Sequence, residues 1–197
     1  MQRRIEQGQS FSTAGGSPDW QPTLTGTQVT LRPLEAGDFE PLYAVASDPA
    51  IWEQHPEPTR WQREVFSKFF TSGLALNGTP AGGTVVVHDT VSGAVIGCSR
   101  WYDWNSETRE VAIGYTFLAR SHWGGTFNRE LKALMLRHAF EHATRVWFHV
   151  GPNNMRSQQA LKRIGARYSH TVIAEPGQGR DTAWFEMNTT DFAAHFP

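Results

Sequence analysis

The chain has 197 residues, one cysteine, 39% hydrophobic residues and a formal net charge of −1. That length suits one domain with a sizeable core, and the charge balance excludes the basic field by which proteins hold nucleic acid or an anionic membrane. A lone Cys98 leaves no internal disulfide framework and fits a reducing compartment, so the cytoplasm is the expected location. No apolar run approaches the roughly 18 residues of a membrane span. The opening stretch, MQRRIEQGQSFSTAGGSPDW, has two arginines but no apolar segment behind them, so it does not read as a signal peptide. Its Gln, Ser and Gly content predicts a flexible tail over residues 1–23, with a single domain over 24–197.

Along that domain, TQVTLRPL alternates as a strand. Phe39, Leu42, Tyr43 and Ala46 then fall at helical spacing. A second helix is predicted through Phe66, Phe69 and Phe70, opened by a capping box at Thr59 and Gln62. GTVVVHD and GAVIGCSRWYDW form a hairpin across DTVSG, and EVAIGYTFL is a further strand. A glycine corner leads into a helix over residues 127–142, and RVWFHV is a short buried strand. NNMRSQQALKRIGA is a helix capped by Asn154 and stopped at Gly165. RYSHTVIAE and DTAWFEMN pair around PGQG. Hairpins mixed with a β-α-β crossover define an α/β fold with a mixed sheet.

The corner WGGTF, residues 123–127, admits two readings. One is a tight strand-to-helix turn. The other is an anion site, because the first turn of a helix presents unpaired N–H groups and the positive end of its dipole, and glycine lets a ligand approach the backbone. It is neither a Walker A loop nor a G-x-G-x-x-G fingerprint.

The wider arrangement resembles the GNAT superfamily of acetyl-CoA-dependent N-acyltransferases, and within it the branch of ribosomal-protein N-terminal (RimJ/RimL-like) acetyltransferases. The likeness runs from Leu24 to Asn188. At the family's pyrophosphate loop Gly124 matches, while Ser121 and Thr126 stand in for the usual Gln/Arg and Gly/Ala. Asn154, Ser157, Leu161, Lys162, Gly165 and Ala166 fit the family's N-x-x-S…K-x-G-A/F helix. The resemblance implies a mostly antiparallel central sheet of about seven strands with a splayed parallel pair, flanked by about four helices. It implies acetyl transfer from acetyl-CoA to a primary amine, on a peptide or small molecule, within a ternary complex and without a metal. A homodimer is left open.

Residue by residue, the resemblance places backbone groups near Phe117 and Leu118 on the pantetheine arm. The N–H groups of Trp123, Gly124, Gly125, Thr126 and Phe127 go to the pyrophosphate, with Asn154 and Lys162 as further coenzyme contacts. Relatives often carry a glutamate where this chain has Ala112; Glu110, on the same face of the strand, is the expected base acting through a water. Many carry a tyrosine where this chain has Leu161, so Ser157 is the expected proton donor, with Asn154 beside it. Trp52, Trp101, Tyr102 and Trp104 are expected on the acceptor side, where aromatic faces suit a cation or an apolar chain. Two other classes remain: a non-catalytic module that holds acyl-CoA or a partner, and a zinc hydrolase built on His138, Glu141 and His142, which spell H-x-x-E-H.

Overall fold

The protein, a computed structural model, is described over residues 18–197. Eight strands and five helices follow one another as β1 (Leu24–Thr25), β2 (Val29–Pro33), α1 (Phe39–Ala46), α2 (Arg63–Leu76), β3 (Gly83–Asp89), β4 (Val95–Asn105), β5 (Glu110–Leu118), α3 (Phe127–Phe140), β6 (Arg145–Val150), α4 (Met155–Arg163), β7 (Arg167–Val172), β8 (Thr182–Asn188) and α5 (Thr189–His195). The strands form one open sheet in the order β1-β2-β3-β4-β5-β6-β8-β7. Every neighbouring pair is antiparallel except β5 and β6. The strand and the helix beyond expectation are the two-residue β1 and α5, whose start is a capping box between Asn188 and Asp191.

Two apolar layers cover the sheet. On one face Leu131, Met135, Leu136 and Ala139 of α3 pack on Val29, Leu31, Val85, Val87, Val111 and Val146. On the other, Leu42 and Ala46 of α1 and Phe66, Phe69 and Phe70 of α2 pack on Val86, Cys98 and Phe117. Each fully buried side chain of this kind contributes about 1.5–3 kcal/mol. Glu130 anchors α3 to the start of β2: its carboxylate accepts from the Thr27 N–H and hydroxyl and from the Gln28 and Val29 N–H groups at 2.6–2.9 Å.

Two expectations move. The domain begins before residue 24, because Trp20 is 2% exposed and its ring meets Trp101, Trp104 and His138. The rest of the expected tail, residues 1–17, lies outside the described residues. The capping box at Thr59 is not formed: its hydroxyl donates to Glu57, and α2 starts at Arg63.

The feature that positions the site is a bulge in β5. Cys98 faces Phe117 and Arg100 faces Gly114, so Ser99 opposes two residues, Tyr115 and Thr116. Tyr115 takes up the extra residue at φ 52°. A bulge bends its strand and shifts the side-chain alternation by one. Val111 and Ile113 therefore face α3 before it, and Leu118 does so after it, while Phe117 turns to α2. The parallel contact with β6 covers only Glu110–Arg145, Val111–Val146 and Ala112–Trp147, and the two strands then part.

Candidate active site

The gap between β5 and β6 opens into a cavity of about 610 Å³ that runs from Thr116 past the glycine corner to α4. It continues into a smaller cavity of about 190 Å³. Trp52, His55, Thr116, Asn154 and Ser157 line both, so they mark the junction.

The larger cavity is built for an anionic ligand. Gly124 adopts φ 73°, and a Cβ there would meet nothing within 4 Å, so its backbone faces open space. Among the described residues, the N–H groups of Gly124, Gly125, Thr126 and Phe127 have no acceptor. Thr126 does not cap α3; its hydroxyl donates to the Gln28 side chain at 2.5 Å. Four free donors at a helix start, with the dipole behind them, suit a phosphate. Arg129, Arg156 and Arg163 line the same cavity, and no carboxylate does. These residues fit the pyrophosphate and arm of a coenzyme A thioester.

Some expected coenzyme contacts change role. The Trp123 N–H is taken by the Arg120 carbonyl, and the Trp123 indole donates to the Leu118 carbonyl at 2.9 Å. Trp123 instead forms a wall on which Arg156 stacks at 4.0 Å. Lys162 is exposed and lines neither cavity; its neighbour Arg163 does. The reason is the helical period, which turns Lys162 outward when Leu161 packs inward. Phe117 and Leu118 remain on the cavity wall.

Asn154 is 6% exposed and caps α4, its side-chain oxygen accepting from the Ser157 N–H at 3.1 Å. The helix ends in a Schellman motif, with Ala166 N–H on the Leu161 carbonyl and Gly165 N–H on that of Lys162, at 3.0 Å each. Gly165 has φ 92°, and the His195 ring occupies the place of a Cβ. Both ends of α4 are thus fixed, and Ser157 is held at the junction.

The smaller cavity lies between His149 on β6, the Tyr115 bulge, Lys132 of α3 and Arg60 of the α1–α2 connection. His149 Nδ1 is 3.0 Å from the Tyr102 hydroxyl, while its buried Nε2 has no partner. Burial, together with His170, outweighs Asp103 and lowers the His149 pKa, so the ring is neutral at neutral pH. Lys132 donates to the Thr116 hydroxyl at 2.7 Å, and burial pushes it down to about 7. His55, buried beside Arg60, is pushed down to about 4.

Other expected site residues lie elsewhere. Glu110 sits at the closed end of the strand pair, where it meets Arg145 at 3.3 Å and accepts from the Trp147 indole at 3.2 Å. It lines neither cavity, because β5 and β6 are still paired at that level. Trp101 is wholly buried and donates to the Met135 carbonyl, and Trp104 packs on Trp20; both belong to the α3 face rather than the acceptor side. Tyr102 lies behind the cavity and reaches it through His149. Trp52 alone of the four aromatic residues lines it. His138 Nε2 is bound to the Asp19 carbonyl at 2.6 Å. Among the described residues, no three His, Cys, Asp or Glu side chains gather as metal ligands.

Sequence reasoning missed Arg60, Lys132 and His149. The available signal for Lys132 was its place on the apolar stripe of α3, between Leu131 and Met135. For His149 it was an imidazole in a short strand otherwise rich in apolar residues. Arg60 sits in an irregular connection and carried no periodic signal.

An open, mostly antiparallel sheet with one splayed parallel pair and an anion-ready helix start at its mouth defines a class of acyl-transfer folds. The family model described as the acetyltransferase (GNAT) domain matches residues 28–167, and the chain belongs to that family. Among solved structures, a GCN5-related N-acetyltransferase from Brucella melitensis has a TM-score of 0.74 at 21% identity, covering 91% of this chain and 83% of that one. Mycobacterium smegmatis RimJ, in complex with CoA-disulfide, has a TM-score of 0.72 at 19% identity over 89% and 91% of the two chains. Spermidine N-acetyltransferase from Vibrio cholerae, in complex with CoA and spermine, has a TM-score of 0.65 at 20% identity over 85% and 99%. These likenesses show the shared fold. No curated protein matches the sequence. No described helix is long and apolar enough to cross a membrane.

Proposed function

We propose that the protein is an N-acetyltransferase that moves an acetyl group from acetyl-CoA to a primary amine by direct transfer. The observation that carries this reading is the continuity of the two cavities at the β5–β6 gap: a basic, amide-lined groove for the coenzyme meets a second chamber for the amine. RimJ and the spermidine enzyme, both solved with coenzyme-A groups, share the fold and support the choice of co-substrate. A RimJ/RimL-like role, with a peptide or protein N-terminus as acceptor, falls within the reading.

Acetyl-CoA supplies an activated carbonyl, and the chain must manage protons and charge around it. His149 lines the smaller cavity, and with Nδ1–H directed at Tyr102 its unpartnered Nε2 takes a proton from the acceptor ammonium and leaves a nucleophilic amine. The amine nitrogen forms its bond to the carbonyl carbon as the carbon–sulfur bond breaks. Backbone N–H groups at the Tyr115–Thr116 bulge, out of register with β4, stabilise the negative charge that develops on oxygen. Ser157, at the junction, passes the second proton lost by nitrogen to the departing sulfur. His149 then returns its proton to solvent. Much of the acceleration comes from holding the two reactants together, since a free amine is already a good nucleophile.

The test is thiol release from acetyl-CoA with a panel of amino acids, peptides and polyamines. Release that depends on an amine, with the acetylated amine recovered as product, is the expected result. Acetyl-CoA binding without turnover on any amine contradicts the enzymatic reading.

A further inference from the structure

The smaller cavity carries an unbalanced charge. Arg60 and Lys132 line it, and no Asp or Glu does. Arg60 is clamped by its own planar group, stacked over Trp52 at 5.1 Å and over Phe69 at 4.8 Å. Its one polar partner among the described residues is His55 Nε2, at 3.1 Å. Burial and Arg60 itself hold that imidazole neutral. Glu57, the carboxylate nearest along the chain, turns its oxygens to Thr59 and Arg180.

A second guanidinium deepens the imbalance. Arg100 is 3% exposed and lies over Phe69 at 4.4 Å and over Tyr115 at 4.5 Å. It is held by the Ser72 hydroxyl and the Phe69 carbonyl, and its buried Nε has no partner. Two arginines thus share one phenyl ring, with no carboxylate bound to either among the described residues. Removing cations from water without a counterion is costly, and the loss is recovered when an anion arrives. The coenzyme phosphates do not account for Arg60, because it faces only the smaller cavity, and the larger one has Arg129, Arg156 and Arg163.

We infer that the smaller cavity receives an amine that also carries a small anionic group, a carboxylate above all, and that Arg60 holds that group. The inference rests on the acetyl-transfer reading of the larger cavity. A planar guanidinium held against two rings is preorganised for a carboxylate in a way that a lysine is not. The volume, about 190 Å³, falls below the roughly 300–1,000 Å³ typical of drug-sized sites and suits one small residue or headgroup. A polycation entering it meets Arg60 with nothing to neutralise it. The shared chemistry has two sources: the α-carboxylate of a free amino acid, or the side-chain carboxylate of the first residue of a peptide.

The experiment uses matched acceptors with the full chain. Alanine is compared with alaninamide, a peptide beginning with Glu with the same peptide beginning with Gln, and spermidine serves as the polycation. The expected result is a kcat/KM at least tenfold higher for the anionic member of one pair, which identifies the source. Arg60→Met should erase that difference by raising KM for the anionic member. Equal or better use of the neutral members, preference for spermidine, or a preference that survives Arg60→Met overturns the inference.

Direct titration with N-acetylalanine and with the acetylated Glu peptide gives a readout independent of turnover. Binding that Arg60→Met weakens about tenfold, and that Arg60→Lys partly restores, supports the site. No binding of either anion overturns it, even if acetyl transfer proceeds. Anion binding without any acetyl-CoA binding would leave the site standing and remove the acetyl-transfer reading instead.

Discussion

The Tyr102 hydroxyl and His149 Nδ1 lie 3.0 Å apart across β4 and β6, with the far nitrogen of the imidazole buried and without a partner. Burial raises the Tyr102 pKa, so the phenol stays protonated, and its oxygen accepts from Nδ1–H, which leaves the imidazole lone pair on Nε2. That bond sets the orientation of the ring. His149→Gln should lower kcat by about 10²-fold or more, the usual scale for a lost general base. Tyr102→Phe should cost less, since it removes the support and leaves the base.

The same pair predicts a pH dependence. The groups facing His149 are Tyr102, Asp103 and His170, and burial outweighs the favourable charge of Asp103 to lower its pKa from 6.5. The base is therefore active above a pKa lower than that of an ordinary histidine. In a profile of log kcat/KM against pH, the acidic limb assigned to this group should lie below 6.5 and vanish in His149→Gln. A limb above 7 that persists in the variant assigns the proton to another group.

Lys132 makes a stability prediction. Burial lowers its pKa from 10.5 to about 7 in the folded chain. Between those values the unfolded chain holds a proton that the folded chain has released, so stability rises with pH across that window. Below about pH 7 the charged lysine is carried inside at full cost. Lys132→Met should raise the unfolding free energy by about 2–4 kcal/mol at pH 6, with the gain fading toward pH 10.5. Urea unfolding at the two ends of the range measures it; an equal effect at both ends contradicts the burial argument.

Glu130 shares that pH direction, but its replacement costs stability where that of Lys132 adds it. Burial alone would raise its pKa, but the hydrogen bonds from Thr27, Gln28 and Val29 outweigh that effect and hold it below 4.5. Its contribution is present above the ordinary carboxylate pKa and is lost as pH falls through the lowered one. Glu130→Ala should destabilise the fold by about 2–3 kcal/mol at pH 7, because several donors lose a charged acceptor. The loss should shrink in acid. Hydrogen exchange at Gln28 and Val29 should rise first.

Most of the fold was legible in the sequence because its elements are long and periodic. The α3 pattern ends within two residues of its expected limit, and Asn154 and Gly165 mark α4 at both ends. The site was harder to read where the backbone leaves its period. The bulge at Tyr115 breaks the alternation of EVAIGYTFL, so strand parity could not show which side chains line the gap. Glu110 was on the right strand but at its closed end, a distinction that depends on where β6 departs. The aromatic segment around Trp101 supplies core on one face and, through Tyr102, a support for the site on the other. Alternation makes that split, and composition does not. Arg60 is set by stacking between α2 and the loop before it, a tertiary arrangement with no local signature.

Calorimetric titration with acetyl-CoA decides whether the glycine corner and the β5–β6 gap hold the coenzyme. Gly124 sits at φ 73°, a conformation that a β-branched residue resists, so Gly124→Val should pull the free N–H groups out of line. Saturable binding of acetyl-CoA by the folded protein is expected, weakened at least tenfold by Gly124→Val and measurably by Asn154→Ala. No binding by a protein shown to be folded, or binding that Gly124→Val leaves unchanged, would contradict it.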